Sequence, residues 1–379
     1  MLGALPQASL GVTMKFQSLS RSRASVCAGL SLLLTAAGVP AQAADKDCKL
    51  IQITSVEMTE MDNGLWSVPM TLNGKVAQMM FDTGGGIRAL RSEVVDELGI
   101  PRCQGDIQMY DVKSAISRDQ VKVPDVVFAW AKMPDGMVFT IMAGASRAER
   151  SADERGESAD QPRINDPRAG RSFDGILTPD VFFQKADIEL DFSGKRLVLF
   201  SNDHCKGKVV YWPAPALAAV PFRFLNNHIT FDAQLDGQTV RAVLDTGASI
   251  NTVNLGLVQR VFDVDVNAPD VKAAGELLPG KPIYEKRFGT LSFGNGDITI
   301  TKRLMTLIPD VMPTEVQTSS RIRAKIVDAP AMLIGMLVLR RLRIYIAFDE
   351  GMLYITPGAG AKVASPTGEP VAAPETPAQ

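Results

Sequence analysis

Val243-Leu244-Asp245-Thr246-Gly247-Ala248-Ser249 decides how this chain reads, because Met80-Phe81-Asp82-Thr83-Gly84 repeats its core 163 residues earlier. Outward from the shared Asp-Thr-Gly, Leu72-Asn73-Gly74 begins ten residues before Asp82, and Leu235-Asp236-Gly237 begins ten residues before Asp245. Apolar positions hold the same register. Trp66 matches Ile229, Val68 matches Phe231, Met70 matches Ala233 and Leu90 matches Val253. Self-similarity at a fixed offset marks a repeated structural unit.

Each copy opens on alternating apolar residues, Leu65 to Leu72 and Ile229 to Leu235, the period of a half-buried strand. Asn73-Gly74 and Asp236-Gly237 then supply residues suited to two-residue hairpin turns. The second strand of each hairpin, Val76 to Phe81 or Thr239 to Leu244, leads directly into its aspartate. Each copy also closes on a hairpin pattern, Ala186 to Phe200 in one and Arg343 to Ile355 in the other. Helical periodicity is confined to short pieces such as Ser92 to Leu98, so the expected class is all-β.

At 379 residues the chain is long enough for two domains of ordinary size. Basic residues ahead of an apolar run from Ala28 to Ala37, followed by Ala41-Gln42-Ala43, read as a cleaved secretory signal over residues 1–43. An uncleaved anchor is the alternative, but the run is shorter than the roughly 20 residues that span a bilayer. The expected division is a first lobe at 48–203, a linker at 204–215, a second lobe at 216–357 and a disordered tail at 358–379. The tail is rich in Ala, Pro, Thr and Glu. Residues 147–172 are charged and nearly free of large apolar side chains, which suits a solvated surface loop or, more specifically, a regulatory or autoprocessing one.

A formal charge of -2, from 40 basic and 42 acidic residues, provides no field to gather nucleic acid. The only histidines are His204 and His228, and no close His or Cys spacing supports a metal site; no cofactor is expected. Ser-His-Asp and Cys-His catalysis are similarly short of a base. Export implies a disulfide-permissive compartment, periplasmic or extracellular, and leaves Cys48, Cys103 and Cys205 in the mature chain. A Cys48–Cys205 bridge around the first lobe and three unpaired thiols are both open readings.

The repeated Asp-Thr-Gly carries the chemistry. Two carboxylates held close together cannot both ionise, so one keeps a proton while the other stays charged. One can then draw a proton from water while the other supports a carbonyl oxygen under attack, with no metal or covalent intermediate. Asp82 and Asp245 are the candidate catalytic residues. Thr83 and Thr246 are placed to lock the two loops together, and Gly84 and Gly247 to turn the backbone beneath them. At ordinary composition one such tripeptide arises by chance in roughly one chain in 15 of this length, so the pair and its shared context are what inform.

Both halves resemble the retropepsin-like aspartic peptidase family, in which apolar-apolar-Asp-Thr-Gly-Ala/Ser is followed later by apolar-apolar-Gly beside the catalytic loop. Residues 243–249 match the first element and Leu333-Ile334-Gly335 the second. In the first half Asp82-Thr83-Gly84 matches, but Gly85 and Gly86 follow it, and Ile176-Leu177-Thr178 stands where the family has Gly last. The resemblance implies a bilobal, pseudo-twofold acid-protease fold of two β-barrel lobes in one monomeric chain. It implies an endopeptidase that takes extended polypeptide beneath mobile hairpins, with Tyr110 and Ala274-Gly275 as flap candidates. A peptide-binding or scaffold module without turnover is the alternative.

Overall fold

Strands that carry the repeated sequence pair in the same order in both halves of the chain. The computed structural model describes residues 49–110, 116–133, 136–142, 173–182, 185–225, 227–310, 315–317, 323–325 and 330–359. The segment expected as a signal, Cys48, the charged stretch 147–172 and the residues from 360 lie outside them. Across the first-half sheet the order is Arg102–Tyr110, Ile116–Val123, Met137–Met142, Ala89–Arg91, Gly175–Leu177, Lys75–Phe81 and Trp66–Leu72. Across the second-half sheet it is Val271–Leu278, Lys281–Phe293, Ile298–Ile308, Thr252–Asn254, Met332–Ile334, Gln238–Leu244 and His228–Leu235.

Strand directions agree as well. Gly175–Leu177 runs parallel to Lys75–Phe81, as Met332–Ile334 does to Gln238–Leu244. The short strands Ala89–Arg91 and Thr252–Asn254 each lie parallel to one long neighbour. The helices Ser92–Leu98 and Leu255–Val261 follow those short strands at the same 163-residue offset. The chain is therefore all-β with an internal duplication.

Local chemistry accounts for the register. Asn73 and Gly74 have φ of 47° and 78°, and Asp236 and Gly237 have 45° and 77°, the pair of left-handed residues that a tight hairpin turn needs. With the turns fixed, Val68, Met70 and Leu72 face inward, as do Ile229, Phe231, Ala233 and Leu235. A one-residue slip would turn either set to solvent.

Six strands join the halves. In spatial order they are Gln52–Glu57, Arg196–Phe200, Asp187–Asp191, Leu342–Ala347, Met352–Pro357 and Ala218–Leu225. The central pair, Asp187–Asp191 and Leu342–Ala347, is antiparallel with Ile188 opposite Ile346 and Leu190 opposite Ile344. Backbone hydrogen bonds thus tie the two closing hairpins directly together, and all described residues belong to one compact unit.

The outer face of this joining sheet is charged yet buried, and the stretch expected as a linker covers it. His204 Nε2 lies 2.6 Å from Asp187 Oδ2, and its Nδ1 lies 3.4 Å from Glu350 Oε1. Tyr345 and the amide of Phe348 also donate to Asp187, at 3.2 and 3.0 Å. Glu189, fully buried, receives Arg343 at 2.6 Å and the Tyr211 hydroxyl at 2.8 Å. Trp212 lies over the Arg343 guanidinium at 4.0 Å and donates to Thr356. Residues 204–215 form no strand, but they are bound to both halves rather than spanning freely between them.

Gly358 also departs from expectation. It is buried and its amide donates to Arg341 at 2.7 Å, so the ordered chain runs at least one residue past the predicted tail boundary. Cys205 is disulfide-bonded and Cys103 is free and exposed, so the reading of three unpaired thiols does not hold; the Cys48–Cys205 reading falls on a residue outside the described ones. Among the described residues no helix is long and apolar enough to cross a membrane.

Candidate active site

The two Asp-Thr-Gly loops meet where the halves face each other, and each holds the other. The Thr83 amide donates to Thr246 Oγ1 at 3.0 Å, and the Thr246 amide donates to Thr83 Oγ1 at 3.0 Å. The Thr83 hydroxyl donates to the Leu244 carbonyl at 2.6 Å, and the Thr246 hydroxyl to the Phe81 carbonyl at 2.5 Å. Each hydroxyl is thus acceptor and donor at once, and every bond crosses from one half to the other. Threonine suits the place because its hydroxyl can do both within a buried site. Both threonines are essentially inaccessible.

Above this lattice lie the carboxyls. Asp82 Oδ1 accepts the Gly84 amide at 2.9 Å, and Asp245 Oδ1 accepts the Gly247 amide at 2.9 Å. The two side chains are within hydrogen-bonding reach of each other. The glycines cross over as well. A Cβ on Gly84 would lie 2.3 Å from Asp245 Cγ, and one on Gly247 would lie 2.4 Å from Asp82 Cγ. No side chain fits at either place, so the carboxyls close over bare backbone. All six predicted residues, Asp82, Thr83, Gly84, Asp245, Thr246 and Gly247, are brought together.

Burial raises both carboxyls above the ordinary carboxylate range. For Asp82 the amides of Gly84 and Gly85 and the charge of His228 oppose that rise. Asp245 goes well above the range, driven by burial and then by the negative charge of Asp82. The pair titrates as a unit and holds one proton above the ordinary carboxylate range. An acid and a base thereby coexist in one site.

Strand ends deliver these loops. The Asp82 amide donates to Leu177 at 2.9 Å and the Asp245 amide to Ile334 at 3.0 Å, which pins each aspartate to the short strand parallel to its own. Beyond Ile334, the Gly335 amide donates to Asn251 Oδ1 at 3.0 Å, and the Met336 amide donates to the Ala248 carbonyl at 2.8 Å. Asn251 is buried and escaped the sequence reading, because a lone Asn six residues after an aspartate carries no recognisable pattern. His228 and Asn227 escaped for the same reason. They sit at the turn between Ala218–Leu225 and His228–Leu235, from which Asn227 Nδ2 donates to the Gly86 carbonyl at 2.8 Å. A second-half hairpin therefore rests on the first-half Asp-Thr-Gly loop.

The expected flap positions fall in equivalent outer hairpins. Tyr110 ends the strand Arg102–Tyr110 and pairs with Ile116. Ala274 and Gly275 lie in Val271–Leu278, where the register with Lys281–Phe293 shifts between Ala273 and Glu276. Compared with models of known protein families and with curated proteins, the chain has no match, and its residues alone must carry the functional argument.

Proposed function

We propose that this chain is an aspartic endopeptidase of the retropepsin-like type, with two lobes in one polypeptide and Asp82 and Asp245 as its catalytic dyad. The observation that carries the reading is the reciprocal threonine lattice, which holds the half-buried carboxyl of Asp82 and the buried carboxyl of Asp245 together from separate halves. Charged Asp82 takes a proton from a water between the carboxyls as its oxygen attacks the peptide carbonyl. Protonated Asp245 gives its proton to the carbonyl oxygen, forming a neutral gem-diol. Collapse of the diol returns a proton to Asp245, and Asp82 passes its own to the departing nitrogen, restoring the starting state.

The substrate would be polypeptide in extended form, bound through backbone hydrogen bonds in the cleft between the halves. Because one chain supplies both aspartates, a monomer suffices. The N-terminal signal pattern supports work in the periplasm or outside the cell. The test is cleavage of an unfolded protein by the wild-type chain and by Asp82→Asn and Asp245→Asn. Both variants should fold and neither should cleave; a variant with full activity would sink the proposal.

Gly85, Gly86 and Thr178 favour a second reading, a peptide-binding module of the same fold without turnover. Reproducible binding of an unfolded protein with no cleavage from acidic to neutral pH would select it.

A further inference from the structure

The two catalytic loops are not braced alike. In the second half Ala248 follows the Asp-Thr-Gly, and Gly335 lies across from it. A Cβ on Gly335 would lie 2.1 Å from the Ile250 carbonyl oxygen and 2.6 Å from that of Ala248. Its φ of -99° is open to any residue, so space and not backbone conformation demands glycine there. In the first half the sizes are exchanged. Gly85 stands in the place of Ala248, and Thr178, fully buried with φ -102°, stands in the place of Gly335. A Cβ on Gly85 would lie 2.7 Å from Asp82 Oδ2 and 3.0 Å from the Thr178 methyl carbon. The threonine methyl therefore occupies the space beside the glycine. Its hydroxyl donates to Asp180 Oδ1 at 2.5 Å, and Asp180 in turn faces Arg88 at 3.5 Å.

We propose that Thr178 is a positioning residue for Asp82, and that Gly85 and Thr178 form a size-exchanged pair doing for the first loop what Ala248 and Gly335 do for the second. The inference rests on the peptidase reading. Its logic is local. The Gly84 amide donates to Asp82 Oδ1 at 2.9 Å and the Gly85 amide favours the charged form of that carboxyl, and Gly85-Gly86 is a stretch whose backbone freedom is otherwise high. The Thr178 methyl restricts that freedom, while the bond to Asp180 fixes the threonine's own orientation. Without the methyl, the Gly85 amide drifts from the carboxyl it serves.

The experiment is a double-mutant cycle over Thr178→Gly and Gly85→Ala, with Thr178→Val as the variant that keeps the methyl and loses the hydroxyl. Peptide cleavage is followed across pH, and thermal melting is measured in parallel. Thr178→Gly should lower kcat by about 10- to 100-fold with KM little changed, and should move the acidic limb of the pH profile upward as the Gly85 amide loosens. Thr178→Val should retain most of the wild-type kcat and limb. A Cβ at position 85 would still lie 2.7 Å from Asp82 Oδ2, so the double variant should recover Tm relative to Gly85→Ala alone but not the wild-type kcat. Should Thr178→Gly not fold, the recovery of Gly85→Ala by the added Thr178→Gly still reads the pairing.

A Thr178→Gly enzyme with a lowered Tm but wild-type kcat and pH profile overturns the positioning role. Additive effects in the cycle overturn the exchange. Melting needs no activity, so a wild-type chain that cleaves nothing refutes the peptidase reading and with it the positioning role, while the Tm cycle decides separately whether the two positions are paired.

Discussion

Residue by residue, the site turns on groups with two jobs. Each threonine hydroxyl accepts one amide and donates to one carbonyl across the halves, so Thr83→Ala strands the Thr246 amide and the Leu244 carbonyl in a dry place. The expected loss is about 2–6 kcal/mol in denaturant unfolding, since two groups are left unpaired and each costs about 1–3 kcal/mol. Asp245 behaves in the opposite sense. Its value is raised on folding, so the folded chain holds that proton more tightly than the unfolded chain does, and stability falls as pH rises from about 3.9 through the raised value. Asp245→Asn should therefore melt above the wild type at pH 7 and alongside it at pH 3. Equal Tm values at both would contradict the buried, proton-holding assignment. His228 works on the other carboxyl, where its positive charge favours ionised Asp82. His228→Gln should move the acidic limb of the cleavage profile to higher pH, and an unmoved limb would remove His228 from the site. Of these residues the sequence displays the ones that repeat. His228 stands where the first half has buried Leu65, and a group without a counterpart leaves no trace in a comparison of halves.

At the scale of elements, hairpins and short parallel strands do the placing. Turn chemistry at Asn73-Gly74 and Asp236-Gly237 and alternation in the flanking strands made these hairpins legible, because both signals are local. The short strands Gly175–Leu177 and Met332–Ile334 gave weaker signals, since three apolar residues have no period and their partners lie 96 and 90 residues away in sequence at Met79 and Ala242. Their importance shows only in the parallel pairing that carries Asp82 and Asp245. Gly335 at the end of one such strand gives a sharp prediction. Gly335→Ala forces a methyl against two carbonyl oxygens and should cost about 1–3 kcal/mol by overpacking, with loss of activity. An active Gly335→Ala enzyme with wild-type melting would contradict the close approach.

For the whole molecule, the joining sheet decides whether two half-sites become one. Its inner residues are apolar and readable as strands, but nothing in the local pattern marks the charges on its outer face as buried. Asp187, Glu189 and Asp191 alternate with Ile188 and Leu190 as a half-exposed strand would, yet His204, Tyr211 and Trp212 fold over them. A composition rich in polar and turn residues concealed that cover, because pairing between distant charges has no local signature. His204→Ala leaves Asp187 and Glu350 buried without the imidazole between them, and the loss of such a partner costs about 3–5 kcal/mol. Denaturant unfolding of that variant, compared with wild type, reads it directly; a change under about 1 kcal/mol would mean the network contributes little to holding the halves.

The most direct measurement is proteolysis of an unfolded protein substrate by the purified chain from pH 3 to pH 7, with and without pepstatin, beside Asp82→Asn and Asp245→Asn. Cleavage by the wild type, blocked by pepstatin and absent from both folded variants, is the expected result. Cleavage that survives either substitution, or binding without any cleavage, would contradict a catalytic Asp82–Asp245 pair.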